Sequence, residues 1–313
     1  MIKKLLLTIG LVVGLCSYLY AQTEIGKCID YLTAQDYARA IEAGKRAITQ
    51  NPKSFLAHLC TGRGYFESGL LNSALAEMKV AESLATTMKE LQVISNRLGL
   101  VYQEMGDFDS ALLSHNRSLT LAKNLGDKDG EATDLVNIAN ILTDKEEYDK
   151  ALAYYEESLN LQKDELKKGG IYNNIAGVYS KKNDHQTAIK YLNMAADIDE
   201  RRGDHHALGI RFLNLAAAYV SLGDTENAWP TLERGLKMVK QVGDKFWEAR
   251  GYEYLSVLSH HTGDSKTARQ AAQKAFNLYS TIGAGRRAEE MKTWLTVLDK
   301  ENIKPDKKKS RTR

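Results

Sequence analysis

Apolar residues along this chain recur at intervals of three and four, as in Ile171, Ile175, Val178 and Tyr179, the spacing of one buried helical face. No stretch sustains the every-second-residue alternation of a half-buried strand, so the pattern predicts an all-α protein. A longer period lies over the helical one. Gly106-Asp107-Phe108-Asp109-Ser110-Ala111 is matched by Gly223-Asp224 through Ala228 and by Gly263-Asp264 through Ala268. Asn183-Asp184, Gln35-Asp36 and Glu146-Glu147 open variants of the motif, and Gly69-Leu70 opens the loosest copy. The closing alanines are Ala40, Ala74, Ala111, Ala151, Ala188, Ala228 and Ala268, spaced by 34, 37, 40, 37, 40 and 40 residues. Self-similarity at such a period is the mark of a repeat architecture.

Other positions keep register with those alanines. Twelve residues earlier stands Cys28, Gly62, Gly99, Ala139, Ala176, Ala216 or Ser256. Nine earlier stands a tyrosine in five copies, with Leu142 and Ser259 in the other two. Seven later stands Ala47, Ala81, Ser118, Ser158, Ala195, Gly235 or Ala275. Small residues suit the places where two helix backbones approach most closely, and a tyrosine one turn away shares that face and fills the space beside it. Glycine suits the left-handed end of a first helix, and the aspartate after it suits the N-cap of a second. Each unit therefore reads as helix, tight turn, helix.

With these motifs the chain resembles tetratricopeptide repeat proteins. The resemblance implies a right-handed α-solenoid of about seven helix-turn-helix units over 22–298, without an internal domain boundary. Repeats are expected near 21–54, 55–88, 92–125, 132–165, 169–202, 209–242 and 249–282, with a capping helix over 286–298 burying Met291, Trp294, Leu295 and Leu298. The second Gly-Asp series, at Gly126-Asp127, Gly203-Asp204 and Gly243-Asp244, is similar to the longer repeats of kinesin light chains and bacterial peptide-sensing regulators. Pro230 falls inside a second helix and is expected to bend it.

Stacked hairpins of this kind line a groove with their first helices. Two positions before the small residue stand Arg97, Asn137, Asn174 and Asn214 in consecutive copies. An asparagine side chain carries both a donor and an acceptor, so a row of them suits the backbone of an extended peptide. The resemblance implies such a ladder at Asn137, Asn174 and Asn214. Arg97, at the same position, suits a carboxylate. Asn96, Asn140, Asn173, Arg250 and Glu253 stand at neighbouring groove positions. The alternative is that these asparagines bond the neighbouring repeat and hold the stack together.

The ends of the chain change the charge balance. Met1-Ile2-Lys3-Lys4 precedes an uncharged run from Leu5 to Tyr20, with Ala21 as a cleavage position: a basic and then an apolar region, too short to span a bilayer comfortably. A cleaved signal peptide over 1–21 is expected, the open alternatives being an uncleaved anchor and a lipoprotein acylated at Cys16. Membrane attachment follows only from those two alternatives. A basic, disordered tail is expected over 299–313. The formal net charge of +3 hides a body of −4 between the first residues and the ten-residue tail of +5. That balance does not fit a nucleic-acid binder.

Catalytic signatures are missing. The sequence has no His-Glu-x-x-His, no Gly-x-x-x-x-Gly-Lys-Ser/Thr loop and no Gly-x-Ser-x-Gly elbow. His205-His206 is expected in a loop between repeats and His260-His261 at the end of a first helix; neither makes a ready chelate. No cofactor or metal is implied. Cys28 and Cys60 fall on adjacent first helices, where two buried thiols and a disulfide are both open. Asn116-Arg117-Ser118 is a glycosylation sequon. The expected function is an exported, periplasmic or extracellular, non-catalytic adaptor that holds an extended peptide or partner segment in its groove. The alternatives are an envelope-assembly scaffold working through its convex face and a sensor module for a separate signalling protein.

Overall fold

The computed structural model describes residues 23–302. The expected signal segment and most of the basic tail lie outside the described residues. All regular structure within them is helical, and it falls into two compact units, one ending at Gln162 and the other beginning at Lys163.

Unit 1 contains α1 (23–33), α2 (Tyr37–Gln50), α3 (Phe55–Glu67), α4 (Leu71–Leu84), α5 (Met88–Glu104), α6 (Phe108–Leu125), α7 (Lys128–Asp144) and α8 (Tyr148–Leu161). Unit 2 contains α9 (Glu165–Lys181), α10 (His185–Arg202), α11 (His205–Leu222), α12 (Thr225–Val242), α13 (Lys245–His261), α14 (Ser265–Thr281) and α15 (Gly285–Asn302). Within each unit every helix packs on the next in sequence, the architecture of an α-solenoid.

The turns explain the repeat motif. Asp36, Asp107, Asp184, Asp224 and Asp264 each cap a second helix, accepting a bond from the backbone N–H three residues on. The residue before each cap has φ between 58° and 83°, whether it is Gly106, Gly223 and Gly263 or Gln35 and Asn183. The second Gly-Asp series works in the same way on first helices: Asp127, Asp204 and Asp244 cap α7, α11 and α13.

The first helices begin about one turn before Gln92, Ala132, Gly169, Gly209 and Ala249, at Met88, Lys128, Glu165, His205 and Lys245. His205 and His206 consequently lie in the first turn of α11 and not in a loop, with His206 Nε2 2.7 Å from Asp244 Oδ2. The capping helix also runs past its expected end to Asn302, and Asp299, placed in the tail by the sequence, pairs with Arg269 at 2.6 Å. α12 continues unbroken through Pro230.

Packing bears out the small positions. Cys28, Ala139, Ala176, Ala216 and Ser256 are at most 1 % exposed. At Gly99 the need is strict: a Cβ there would stand 2.5 Å from the imidazole of His115, which fills the space from α6. Ser118 and Ser158 sit in second helices and donate their hydroxyls to the carbonyls of Gln92 and Ala132 in the first helices of their hairpins. Met291 and Leu298 are buried as expected, and Trp294 is half-buried with its indole N–H on Ser256 Oγ at 2.8 Å. Of the two states open for the cysteines, the structure has the disulfide: Cys28 and Cys60 are bonded, with Cα atoms 6.4 Å apart, tying α1 to α3. The sequon lies inside α6, where Ser118 is fully buried and Asn116 Nδ2 donates to Leu112 O.

Candidate binding clefts

Each unit carries a polar cleft lined mainly by its first helices. In unit 2 a cavity of about 240 Å³ lies among α9, α11 and α13, with Leu192 and His185 of α10 at its side. Its floor is made of Ala176, Gly177, Ala217 and Ala218, whose short side chains leave the space open. Asn173 and Asn214 face each other there, Asn214 Nδ2 donating to Asn173 Oδ1 at 2.9 Å. That bond uses one donor and one acceptor. It leaves the Asn173 amide N–H and the Asn214 carbonyl oxygen for a ligand.

Arg250 and Tyr254 of α13 close the far side. The guanidinium lies 4.7 Å from the Tyr254 ring centre, donates to the Tyr254 hydroxyl and reaches Glu253 Oε1 at 3.2 Å. Glu253 also accepts from the Tyr279 hydroxyl at 2.8 Å and has Arg287 within 3.7 Å. Burial pulls the Arg250 pKa down, but the charges of Tyr254 and Glu253 outweigh it and hold the guanidinium above its ordinary value. Burial, followed by the Glu253 carboxylate, pushes the Tyr279 phenol up. Glu253 does not line the cavity; it fixes Arg250 from behind. Asn174 does not line it either, and it is already partnered.

In unit 1 a cavity of about 170 Å³ is lined by α5 and α7, with Ser118 of α6. Arg97 lines it, with no hydrogen bond or ion pair among the described residues. Burial and then the charge of Arg63 lower its pKa, with Glu67 opposing them. Asp127 lines the same cavity but is fully engaged. It accepts from Lys89 Nζ at 2.5 Å, from Gln92 Nε2 at 3.0 Å and from the Gly130 N–H, and these bonds, Lys89 first, hold its carboxyl at about 2. Asn137 is half-buried on α7, outside the cavity and without a hydrogen bond among the described residues. Asn140, read as a groove residue, instead accepts from the hydroxyl of Tyr155, whose phenol burial pushes up to about 12. Asn96 donates to Asp134.

The predicted residues therefore divide. Asn173, Asn214 and Arg250 come together in unit 2, and Arg97 lines the cleft of unit 1. Asn140 binds inside its own hairpin. Among the residues missed, Tyr254 occupies the asparagine position of its repeat, and Asp134 lies four residues before buried Ile138, so a charge on an apolar stripe was its signal. No group of three or more metal-ligating side chains occurs among the described residues, and no helix there is long and apolar enough to cross a membrane.

Comparison with known proteins agrees with the helical-repeat fold. The tetratricopeptide repeat family profile matches residues 90–164 and 169–241. A curated relative, subunit 4 of the human outer dynein arm-docking complex, is 27% identical over 145 residues, 46% of this chain and 22% of that protein. The chain thus spans only about a fifth of the length of that relative. A tetratricopeptide repeat protein from Parabacteroides merdae superposes with a TM-score of 0.64 at 18% identity, over 90% of this chain and 99% of that one. A Rap protein solved in complex with Competence and Sporulation Factor gives 0.59 at 12% identity, over 90% of this chain and 98% of that one.

Proposed function

This chain is a tetratricopeptide repeat protein, and on that premise we propose that it is an exported, non-catalytic adaptor whose unit 2 cleft holds an extended segment of a partner protein. The observation that carries the reading is the Asn173–Asn214 pair. Its unused N–H and carbonyl oxygen match the C=O and N–H of one peptide unit, so the pair grips backbone whatever the side chains. The small-residue floor gives an extended strand room to approach, and Arg250, fixed by Glu253 and Tyr254, is placed to select an acidic or carbonyl-rich segment. A structural neighbour that holds Competence and Sporulation Factor favours a bound partner over a purely structural role. Export is supported by the Cys28–Cys60 bond, which persists in oxidising compartments, together with the basic-then-apolar start of the chain.

The test places a photo-crosslinking residue at Gly177. A Cβ there meets nothing within 4 Å, so the probe enters the cleft without disturbing the helix. Irradiation in the native envelope fraction is expected to capture a defined partner, and adding Asn173→Ala and Asn214→Ala is expected to abolish the capture while circular dichroism stays unchanged. Capture that survives both substitutions would sink the reading.

A further inference from the structure

His58 lies in the first turn of α3 and is buried, 7 % exposed, where α3 meets two other segments of unit 1. Its Nδ1 is 2.6 Å from Glu77 Oε2 on α4, and its Nε2 is 3.0 Å from the carbonyl oxygen of Pro52 in the turn between α2 and α3. A carboxylate oxygen and a carbonyl oxygen are both acceptors, with no hydrogen to give. A neutral imidazole has one N–H and one bare nitrogen. In either tautomer it sets a nitrogen lone pair against an oxygen lone pair at one of the two contacts. Turning the ring over puts carbons in the places of the nitrogens and loses both bonds. The imidazolium, with an N–H on each nitrogen, makes both contacts at once.

The extra hydrogen could instead sit on Glu77. Two features favour the carboxylate: the Glu77 side chain is 25 % exposed, and Lys45 of α2 adds a positive charge within electrostatic reach. The other charges on the packed elements are occupied or in solvent. Lys79 and Glu82 of α4 pair with each other, Arg46 of α2 pairs with Glu24 of α1, and Glu42 of α2 and Lys53 of the turn are exposed. We infer that His58 and Glu77 form a proton-operated latch, in which an imidazolium fastens α3 both to α4 and to the turn before it, and loss of that one proton releases one of the two fastenings. α3 thus carries two ties, this latch and, two residues along, the Cys60 bond to α1. The inference is independent of the unit 2 cleft.

An unfolded histidine loses its proton near pH 6.5, and a free glutamate titrates near 4.3. Between those values the latch contributes in full. Above about pH 6.5 folding must take up a proton, so the contribution falls as the pH rises, by up to about tenfold in the folding equilibrium per pH unit. Glu77→Gln is the discriminating variant. Its carboxamide donates an N–H to Nδ1 while the Nε2 N–H still donates to Pro52, so a neutral ring satisfies the same arrangement without the added proton. Urea unfolding of the full chain, wild type against variant, is measured from about pH 6 to about pH 9. The difference between them is expected to move steadily against wild type as the pH rises; a difference that stays constant overturns the inference. Imidazole nitrogen NMR of the folded wild type gives a second reading that does not depend on the variant's folding. The His58 ring, identified by its absence from the spectrum of His58→Gln, is expected to carry hydrogen on both nitrogens at about pH 7.5, where a free imidazole is mostly neutral. One bare nitrogen there overturns it equally.

Discussion

Units 1 and 2 are built from the same hairpin but close it differently. In unit 2 the second helices α10 and α12 end on left-handed Gly203 and Gly243, and the next residue caps the following helix at once. In unit 1 only α6 ends that way; α2, α4 and α8 run out through Asn51, Ala85 and Gln162 at negative φ. The difference sets the period. Where the extra Gly-Asp is absent, α3 has 13 residues with a spacing of 34, and α5 and α9 have 17 with spacings of 37; where it is present before α11, that helix has 18 and the spacing is 40. In unit 2 the cleft is made of long first helices, α9, α11 and α13. Unit 1 instead contains a covalent tie between α1 and α3 and a buried His115–Asp134–Asn96 cluster between α5, α6 and α7. Unit 2 is held at the corresponding depth by an aromatic and arginine cluster around Glu253.

The largest expected effect isolates the covalent tie. Cys28→Ser with Cys60→Ser opens a loop closed over a separation of 32 residues, and the chain-entropy cost is about 3–4 kcal/mol. Hydrogen exchange is expected to show lost protection across α1–α3 and unchanged protection across α9–α15. Uniform loss would mean that the two units do not differ in this respect.

A glycine pair sharpens the contrast. Gly99→Ala drives a methyl group into the His115 ring, and overpacking of this kind costs about 1–3 kcal/mol. Gly177→Ala in unit 2 places its methyl group in open space within a helix and is expected to stabilise by about 0.5–1 kcal/mol. Chemical denaturation of the two variants should move the midpoints in opposite directions; a shift of the same sign would remove the distinction between a filled and an open first-helix face.

The smallest effect is electrostatic. Asp127→Asn keeps a capping oxygen on α7 but removes its negative charge at the helix N-terminus and the ion pair with Lys89, a loss of about 1 kcal/mol at neutral pH. The folded carboxyl sits at about 2, below the unfolded value of about 3.9. Its contribution is therefore fully present above pH ~4 and is lost as the pH falls towards 2. Melting temperatures of wild type and variant should differ at pH 6 and converge near pH 2; a gap that persists in acid would show that the bond is not charge-assisted.

Much of this was legible before any coordinates. The Gly-Asp motif announced each turn, because a left-handed residue followed by a capping carboxylate has few other uses. It was legible even where Gln35 and Asn183 replaced glycine, since the spacing to the alanine survived. The helix starts were less legible: the register of small residues locates the middle of a first helix, where backbones touch, and says nothing about a cap one turn upstream. Side-chain partners were the least legible. Asn140 and Asn214 look alike in sequence, yet one meets the hydroxyl of Tyr155 and the other meets Asn173.

What the sequence determined by itself is the hairpin, its count and its closing contacts, because these are local: helical period, turn conformation and the size of a side chain facing a nearby backbone. Tertiary structure alone decided which polar groups remain unmet. Arg97 on α5 and Asp134 on α7 have one helix, α6, between them in sequence, and whether two charges so placed pair or stay apart depends on how neighbouring hairpins stack. That geometry arises from many weak packing contacts summed over each unit, and no single residue type records it.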